Sequence, residues 1–152
     1  MEFKTEAQKR VYERITPWMK ELFGELAKPF DEAPMFGVIW GSTATRVAVL
    51  PWGDDDATIT TRAWVVTGTE LVPDFLKYLL QQNDRMRFGA FCIDEDGDVF
   101  FEHTIVGSTC DREELKASIF AVATTADKYD DEIVNRWGGQ RMLDKMKTQL
   151  GL

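Results

Sequence analysis

The sequence predicts an α+β domain with a single antiparallel sheet of about five strands and helices before, between and after the strands, in the order α-β-β-β-α-β-β-α. Three observations lead to this fold class. Apolar residues recur every three or four positions in several long segments, which indicates helices. Segments rich in β-branched and aromatic residues lie between them, which indicates strands. Short turns join successive strand segments, so these neighbours are expected to be antiparallel.

The N-terminal region, residues 1–28, is predicted to form a helix from residue 5 onward. Val11 and Ile15 begin an apolar stripe with helical spacing. Pro17 lies inside this pattern, so it either kinks the helix or ends a first, looser segment. The proline-containing stretch that follows residue 28 ends the helix.

Three strands are predicted next, at residues 36–40, 44–51 and 58–67, with glycine-containing turns between them. Three tryptophans lie in this sheet or at its turns: Trp40, Trp52 and Trp64. Large aromatic residues in such positions are either core and edge cover or part of a recognition surface.

A second helix is predicted over residues 69–83, with Thr69 as its N-cap and Pro73 in its first turn. Its apolar residues spread over more than one stripe, which is wider than a single-sided surface helix requires. One side can pack on the sheet, and the surplus predicts a second contact with another subunit. The predicted dimer contacts are Phe75, Tyr78, Leu79 and Leu80.

The most informative stretch is residues 85–107, where two β-rich runs flank an acidic turn that contains Gly97. A three-residue loop ending at Gly97 predicts a hairpin with two separate faces. On the first face the predicted pairs are Ile93 with Val99, Phe91 with Phe101, and Arg87 with Ile105. On the second face they are Cys92 with Phe100, Ala90 with Glu102, and Phe88 with Thr104.

The first face of this hairpin is the more apolar and is the predicted core face. The second face still carries three apolar residues, Phe88, Cys92 and Phe100, where an antiparallel strand normally has polar ones. Two interpretations stay open. Either a helix covers part of this face, or the three residues form an exposed platform that binds a partner.

A long helix is predicted to begin near Asp111, whose neighbourhood resembles a capping box, and to end at the pair Gly138-Gly139. Its apolar seam is interpreted as packing within the monomer, because a few heptads are weak evidence for a coiled coil. A tail helix is predicted over residues 140–150, with Met142 and Met146 on its apolar side. No linker or repeat is visible, so residues 1–152 are expected to form one domain.

Composition excludes several classes of partner. The net charge is −8 and the sequence pI is near 4.7, which disfavours binding to nucleic acid or to an anionic membrane. The two cysteines are expected to be reduced thiols of a cytoplasmic protein. Neither a signal peptide nor an apolar stretch of membrane-spanning length is expected.

The residues that commonly carry catalysis or bind metal do not cluster in the sequence. The one histidine, His103, lies in a predicted strand without a neighbouring nucleophile and is expected to be structural. Cys110 precedes a helix, where a thiolate can be stabilised, but structural burial is the favoured interpretation. The acidic turn before Gly97 lacks the spacing of a calcium-binding loop. We therefore predict no catalytic residue, no cofactor and no metal, and expect that the protein is not an enzyme.

Several motifs in residues 71–139 resemble those of a known family. They are Leu79-Leu80-Gln81-Gln82-Asn83, Asp94-Glu95-Asp96-Gly97, Phe100-Phe101-Glu102, Asp111-Arg112-Glu113-Glu114-Leu115 and Ala126-Asp127-Lys128-Tyr129-Asp130-Asp131, closed by Gly138-Gly139. Their order resembles that of the YbjN family, whose fold is similar to that of type III secretion chaperones. The first helix and the first three strands agree with this family only in order and length.

The resemblance implies an antiparallel sheet with helices mainly on one side. It also implies a homodimer, often joined through the middle helix, that binds a partly folded client segment on apolar patches. The leading hypothesis is thus a chaperone-like, protein- or peptide-binding module of the bacterial cytosol. One alternative is a regulatory or assembly subunit that acts through homodimerisation, in keeping with the sensory-transduction label of the YbjN family. The other is a small-molecule sensor with an unrecognised pocket.

Overall fold

The computed structural model describes residues 1–151, which form four α-helices and a seven-stranded sheet. The helices are α1 (Glu6–Phe23), α2 (Pro73–Arg85), α3 (Arg112–Trp137) and α4 (Met142–Gln149). The strands are β1 (Ala27–Pro29), β2 (Met35–Trp40), β3 (Thr43–Trp52), β4 (Asp56–Thr67), β5 (Ala90–Ile93), β6 (Val99–Val106) and β7 (Gln140–Arg141). A short 3₁₀ turn, Gly24–Leu26, connects α1 to β1.

The predicted α+β class and the single antiparallel sheet are confirmed, but the sheet has seven strands instead of about five. The two additional strands, β1 and β7, are three and two residues long. β1 contains Pro29 and β7 follows a glycine pair, so neither has the alternating apolar pattern from which a strand is predicted. β7 also takes the first two residues of the predicted tail helix, so α4 begins at Met142.

The strands lie in the order β1-β2-β3-β4-β6-β5, and each neighbouring pair is antiparallel. β7 pairs with Val66 and Thr67 at the end of β4. Because β3 pairs with β4 only as far as Ala63, β7 takes the place beside β4 that β3 does not reach.

Helices α1, α2 and α3 pack on one face of the sheet, which we call the inner face. Beneath α1 the core includes Ile15 and Val47, and between α2, α3 and the hairpin it includes Phe75 and Phe101. Successive side chains of a strand point to opposite faces, so the intervening residues form an outer face that these three helices leave open.

Helix α1 starts as predicted and ends earlier than predicted. The hydroxyl of Thr5 accepts a hydrogen bond from the backbone N–H of Gln8. The helix continues past Pro17 and ends at Phe23, because Gly24 adopts a positive φ of 53° that does not continue a helix.

Helix α2 begins at Pro73 and not at the predicted cap, Thr69. The hydroxyl of Thr69 donates a hydrogen bond to the carbonyl of Gly138 and so joins the start of this segment to the end of α3. The predicted cap of α3 is confirmed, since the carboxylate of Asp111 accepts a hydrogen bond from the N–H of Glu114.

The hairpin of β5 and β6 has the predicted register over four pairs: Ala90 with Glu102, Phe91 with Phe101, Cys92 with Phe100, and Ile93 with Val99. The predicted pairs Phe88 with Thr104 and Arg87 with Ile105 are wrong, because β5 begins only at Ala90. Gly89 explains the difference. It has a φ of 83°, and a Cβ there would lie 2.6 Å from the carbonyl oxygen of Glu102, so the chain turns away from β6 at this point.

Candidate functional site

An apolar groove of about 400 Å³ lies on the outer face between β2–β4 and helix α4, and we call it the outer groove. Nearly all of its surface comes from carbon and sulfur atoms. The side chains that define it are Phe30, Ile39, Arg46, Trp64, Met142 and Met146. They come from five separate parts of the chain, so no local motif marks the groove in the sequence.

The floor of the outer groove has a gap at Gly37 in β2. The ring of Phe30, which follows β1, lies over this glycine, and a Cβ at Gly37 would be 3.4 Å from that ring. The Phe30 side chain thus packs on the outer face of the sheet and forms one wall. Phe30 and Ile39 remain about half exposed on either side of this position.

Helix α4 forms the opposite wall. The chain leaves α3 on the inner face and passes Gly139, where a Cβ would lie 2.7 Å from the carbonyl oxygen of Thr67. Only glycine permits this close passage, which brings β7 alongside β4 and places α4 over the outer face. Met142 and Met146 lie one turn apart and both point into the groove.

Few interactions hold α4 in place. Every residue of α4 is at least partly exposed. Arg141, just before the helix, pairs with Asp144 at 2.7 Å and with Asp131 of α3 at 3.5 Å. The Nζ of Lys145 lies 3.2 Å from the hydroxyl of Thr67. These contacts are polar and partly exposed, so each contributes little to stability.

Two arginines lie opposite each other on the outer face, and only one of them has a charged partner. Arg62 of β4 pairs with Glu102 of β6 at 2.5 Å. Arg46 of β3 lies directly opposite Arg62, with its guanidinium 5.0 Å from the ring centroid of Trp64. Among residues 1–151, no carboxylate forms an ion pair with Arg46. Burial, together with the charge of Arg62, lowers the pKa of Arg46 from its ordinary value, and Glu102 acts in the opposite direction.

The three residues predicted as a partner-binding platform do not form one surface. Phe100 is only 6% exposed, because the guanidinium of Arg62 stacks over its ring at 3.9 Å. Cys92, its cross-strand partner, is half-buried. Phe88 is 48% exposed, but its ring packs edge-on against His103, whose ring nitrogen is hydrogen-bonded to a residue of α3.

At Phe100 the cover is the guanidinium of Arg62 and not a helix. Helix α4 covers a different part of the outer face, over β3 and β4. The sequence alone could not predict that Arg62 covers Phe100, because the two residues come together only when β4 pairs with β6.

Of the four residues predicted as dimer contacts, three are buried in the monomer and one is exposed. Phe75 and Leu79 are buried in the monomer core, and the ring of Phe75 lies 5.3 Å from that of Trp137 at the end of α3. The hydroxyl of Tyr78 donates a hydrogen bond to Glu132 of α3. The surplus apolar surface of α2 is thus largely occupied by α3. Leu80 is the exception, with 69% of its surface exposed.

Leu80 borders a second apolar groove, of about 300 Å³, between α2 and β5. We call it the α2–β5 groove, and its side chains are Leu76, Leu79, Leu80, Phe91, Cys92 and Ile93. It lies at the edge of the sheet and contains no charged side chain, whereas the outer groove contains Arg46.

Both edges of the sheet are poor acceptors of an added strand. At the β5 edge, the side-chain amide of Asn83 accepts a hydrogen bond from the N–H of Phe91 and donates one to its carbonyl. At the β1 edge, the backbone N–H of Phe30 donates a hydrogen bond to the carbonyl of Met35 in β2. Backbone groups alternate in direction along a strand, so those of Ala27 and Pro29 point away from β2. The N–H of Ala27 is already bonded to the carbonyl of Gly24, and Pro29 has no N–H.

The histidine and the buried cysteine occupy structural positions. His103 forms a hydrogen bond of 2.9 Å with the hydroxyl of Ser118, a buried residue of α3. Burial raises the pKa of Cys110 to about 11, which leaves its thiol protonated at neutral pH. Within residues 1–151 no group of histidine, cysteine and carboxylate side chains has an arrangement that fits a metal ion.

The acidic motif of α3 anchors the turn between β2 and β3. The carboxylate of Asp127 accepts hydrogen bonds of 2.7 Å from both the backbone N–H and the hydroxyl of Ser42. These bonds lower the pKa of Asp127, whereas burial raises that of the neighbouring Asp130. The turn at Ser42 joins the two strands that carry Ile39 and Arg46, so this motif positions the floor of the outer groove.

None of the helices in residues 1–151 combines the length and the apolar character that crossing a membrane requires.

Comparison with known proteins identifies the fold and the family of the chain. Two complexes are among the solved structures that share the fold. The crystal structure of the ExsC–ExsE complex gives a TM-score of 0.61 at 17% identity and covers 79% of this chain and 93% of that chain. The structure of the HopA1–SchA chaperone–effector complex gives a TM-score of 0.60 at 10% identity and covers 81% of this chain and 96% of that chain.

No curated protein sequence matches the chain significantly. Residues 9–145 match the family model TY-Chap1, described as T3SS (YopN, CesT) and YbjN peptide-binding chaperone 1. This match spans most of the chain and confirms the resemblance found from the motifs in residues 71–139. The chain belongs to the TY-Chap1 family of type III secretion and YbjN peptide-binding chaperones.

Proposed function

We propose that this protein is a non-enzymatic, chaperone-like module of the bacterial cytosol that binds an apolar segment of another protein in the outer groove. The observation that carries the proposal is the groove itself, an apolar channel of about 400 Å³ on a face that α1, α2 and α3 leave open. Its volume falls within the range of roughly 300–1,000 Å³ that is typical of ligand-binding clefts.

The chemistry of the walls suits a peptide better than a small polar ligand. Met142 and Met146 have flexible, polarisable side chains that adapt to differently shaped apolar partners. Arg46 is the one charged side chain that lines the groove. A sensor for a small polar molecule would need several convergent polar groups, which favours the peptide-binding function over the small-molecule alternative.

The mode of binding follows from the sheet edges. Because the side chain of Asn83 occupies the backbone groups of Phe91, and Pro29 has no N–H, main-chain pairing is hindered at both edges. We therefore assign recognition to side-chain contacts on the outer face.

Three further observations support the proposal. The family is described as one of peptide-binding chaperones. One structure with the same fold is that of a chaperone–effector complex. Cys92 lies on the outer face of β5 whereas Cys110 is buried in the core beneath α1, and both are free thiols, as expected in a reducing compartment.

Peptide selection with two matched variants tests the proposal. Phage that display random dodecapeptides are selected on the purified protein, and the affinity of selected peptides is measured by fluorescence anisotropy. Ile39 and Leu50 lie on the same face with 47% and 45% exposure, but only Ile39 lines the groove. We expect Ile39→Glu to weaken peptide binding at least about tenfold, since it places a charge in the apolar contact, and Leu50→Glu to leave it nearly unchanged.

Equal losses in the two variants would show that the peptides bind elsewhere, and the absence of selected peptides would remove the proposed function. Circular dichroism and thermal unfolding confirm that both variants remain folded. Both side chains are half exposed, so the substitutions are expected to preserve the fold.

The α2–β5 groove supports a second candidate function, assembly of a homodimer. The observation in its favour is Leu80, which is 69% exposed beside Ile93 on the rim of this groove. A second copy that packs on this surface would bury both residues. Sedimentation equilibrium over a hundredfold range of protein concentration tests the candidate, because a monomer throughout that range would exclude a stable dimer.

A further inference from the structure

We propose that the client segment bound in the outer groove carries one carboxylate, from an aspartate or glutamate flanked by apolar residues, and that this carboxylate pairs with Arg46. The inference rests on the proposed function and specifies the chemistry of its client. Four features of the groove support it.

The first feature is the position of Arg46. Its cross-strand partners are Gly37 on β2, which has no side chain, and Arg62 on β4. On the β2 side its neighbour is therefore the Phe30 ring that covers Gly37, and on the β4 side it is a like charge. The guanidinium stacks on the ring of Trp64, another residue of the groove, at 5.0 Å.

The second feature is the difference between the two arginines. Like charges that face each other across two strands are destabilising unless other charges compensate. Glu102 compensates Arg62 at 2.5 Å. No carboxylate in residues 1–151 does the same for Arg46, although it is partly buried among apolar atoms. A guanidinium stays charged in such surroundings, so an incoming carboxylate would gain a charge-assisted hydrogen bond there.

The third feature is that the one acidic residue of the wall helix already has a partner. Asp144 of α4 accepts hydrogen bonds from Arg141, at 2.7 and 3.2 Å. This pair keeps the α4 carboxylate turned toward the start of its own helix, which leaves Arg46 available to a partner.

The fourth feature limits the partner to a single carboxylate within an apolar segment. The protein carries a net charge of −8, so a strongly acidic partner is repelled at long range. The attraction at Arg46 is local, and the apolar walls on both sides of it favour uncharged residues before and after the acid. A polyanion such as nucleic acid fits neither condition.

The test compares peptide selections on the wild type and on Arg46→Gln. From a random dodecapeptide library, the wild type is expected to enrich aspartate or glutamate flanked by apolar residues, and Arg46→Gln is expected to enrich apolar residues without the acid. The most enriched acidic peptide is then compared with its asparagine or glutamine counterpart by fluorescence anisotropy. We expect the acidic form to bind the wild type about tenfold more tightly, and the two forms to bind Arg46→Gln equally.

Two further variants separate the charge from other effects. Arg46→Lys keeps the positive charge but not the planar donors, so it should keep a reduced preference for the acid. Arg10→Gln removes an exposed arginine of α1 on the other side of the sheet and should leave the preference unchanged.

The possible outcomes distinguish this inference from the proposed function. Peptides that bind in the outer groove without any preference for an acid, or with a preference that Arg46→Gln retains, would overturn the inference and leave the proposed function intact. A library that yields no binding peptide would overturn both.

Discussion

The outer groove and the α2–β5 groove are both open and apolar, but their helical walls are held in different ways. Helix α2 is anchored by Phe75, Tyr78 and Leu79, which are buried against α3 and the sheet. Every residue of α4 is at least partly exposed, and polar contacts hold the helix in place. A fixed wall suits a partner of constant shape, such as a second copy of the chain. A loosely held wall lined with methionines suits segments of different shape.

The largest effect is expected when the anchored wall is truncated. Phe75→Ala leaves a cavity beneath α2 and should lower the free energy of unfolding by about 3–5 kcal/mol, whereas Met146→Ala in α4 should lower it by about 0.5 kcal/mol or less. Urea denaturation measures both changes. Similar losses in the two variants would show that α4 is anchored as firmly as α2, and the contrast between the grooves would disappear.

A smaller effect is expected at the floor of the outer groove, where Asp127 holds the turn at Ser42. Asp127→Asn keeps an acceptor but removes the charge, and should cost about 1 kcal/mol at pH 7. The folded state lowers the pKa of Asp127, so the stability that its charge contributes is complete above the unfolded pKa and is lost as the pH falls through the folded pKa.

The difference in stability between the wild type and Asp127→Asn should therefore begin to shrink below about pH 4, where the carboxyl of the unfolded chain takes up its proton, and should disappear once the folded carboxyl is neutral as well. Urea titrations at pH 7 and pH 3 measure it. The exposed Asp84, substituted by asparagine, serves as the control and should change stability little at either pH. A difference that stays constant with pH would contradict the assigned role of the Asp127 charge.

The smallest effect on stability is expected at Leu80, although its effect on assembly should be large. Leu80→Glu changes a side chain that is already 69% exposed, so the free energy of unfolding should change by no more than about 0.5 kcal/mol. If the α2–β5 groove joins two copies, the variant should sediment as a monomer at concentrations where the wild type is a dimer. Leu71→Glu, at another exposed leucine outside this groove, should leave the dimer intact. A dimer that persists in Leu80→Glu would assign the contact to a different surface.

The sequence predicted those parts of the fold that local patterns determine. The alternation in residues 90–102 set the register of the β5–β6 hairpin, and the position of Asp111 set the start of α3. Strands as short as β1 and β7 do not show the alternating apolar pattern from which a strand is predicted. The end of α1 depends on the conformation of one glycine, Gly24. These elements form because tertiary contacts stabilise them.

The candidate site could not be predicted in the same way. Phe30, Ile39, Arg46, Trp64 and the two methionines come together only after β1–β4 pair and the chain crosses the sheet at Gly139. A partial signal was present, since the spacing of Met142 and Met146 predicts one apolar side for the tail helix. The surplus apolar surface of α2 was also visible in the sequence, but its contact is mainly α3 of the same chain.

The crossing at Gly139 has a consequence for how this family can diversify. The segment that passes to the outer face is joined to the sheet by two residue pairs of β7 and contributes nothing to the inner core. If the outer groove binds a peptide, substitutions in residues 142–149 would change one wall of it while the free energy of folding stays nearly constant. Its floor residues, such as Ile39 and Arg46, lie on strands that also carry the core, so only the α4 wall is free to vary in this way.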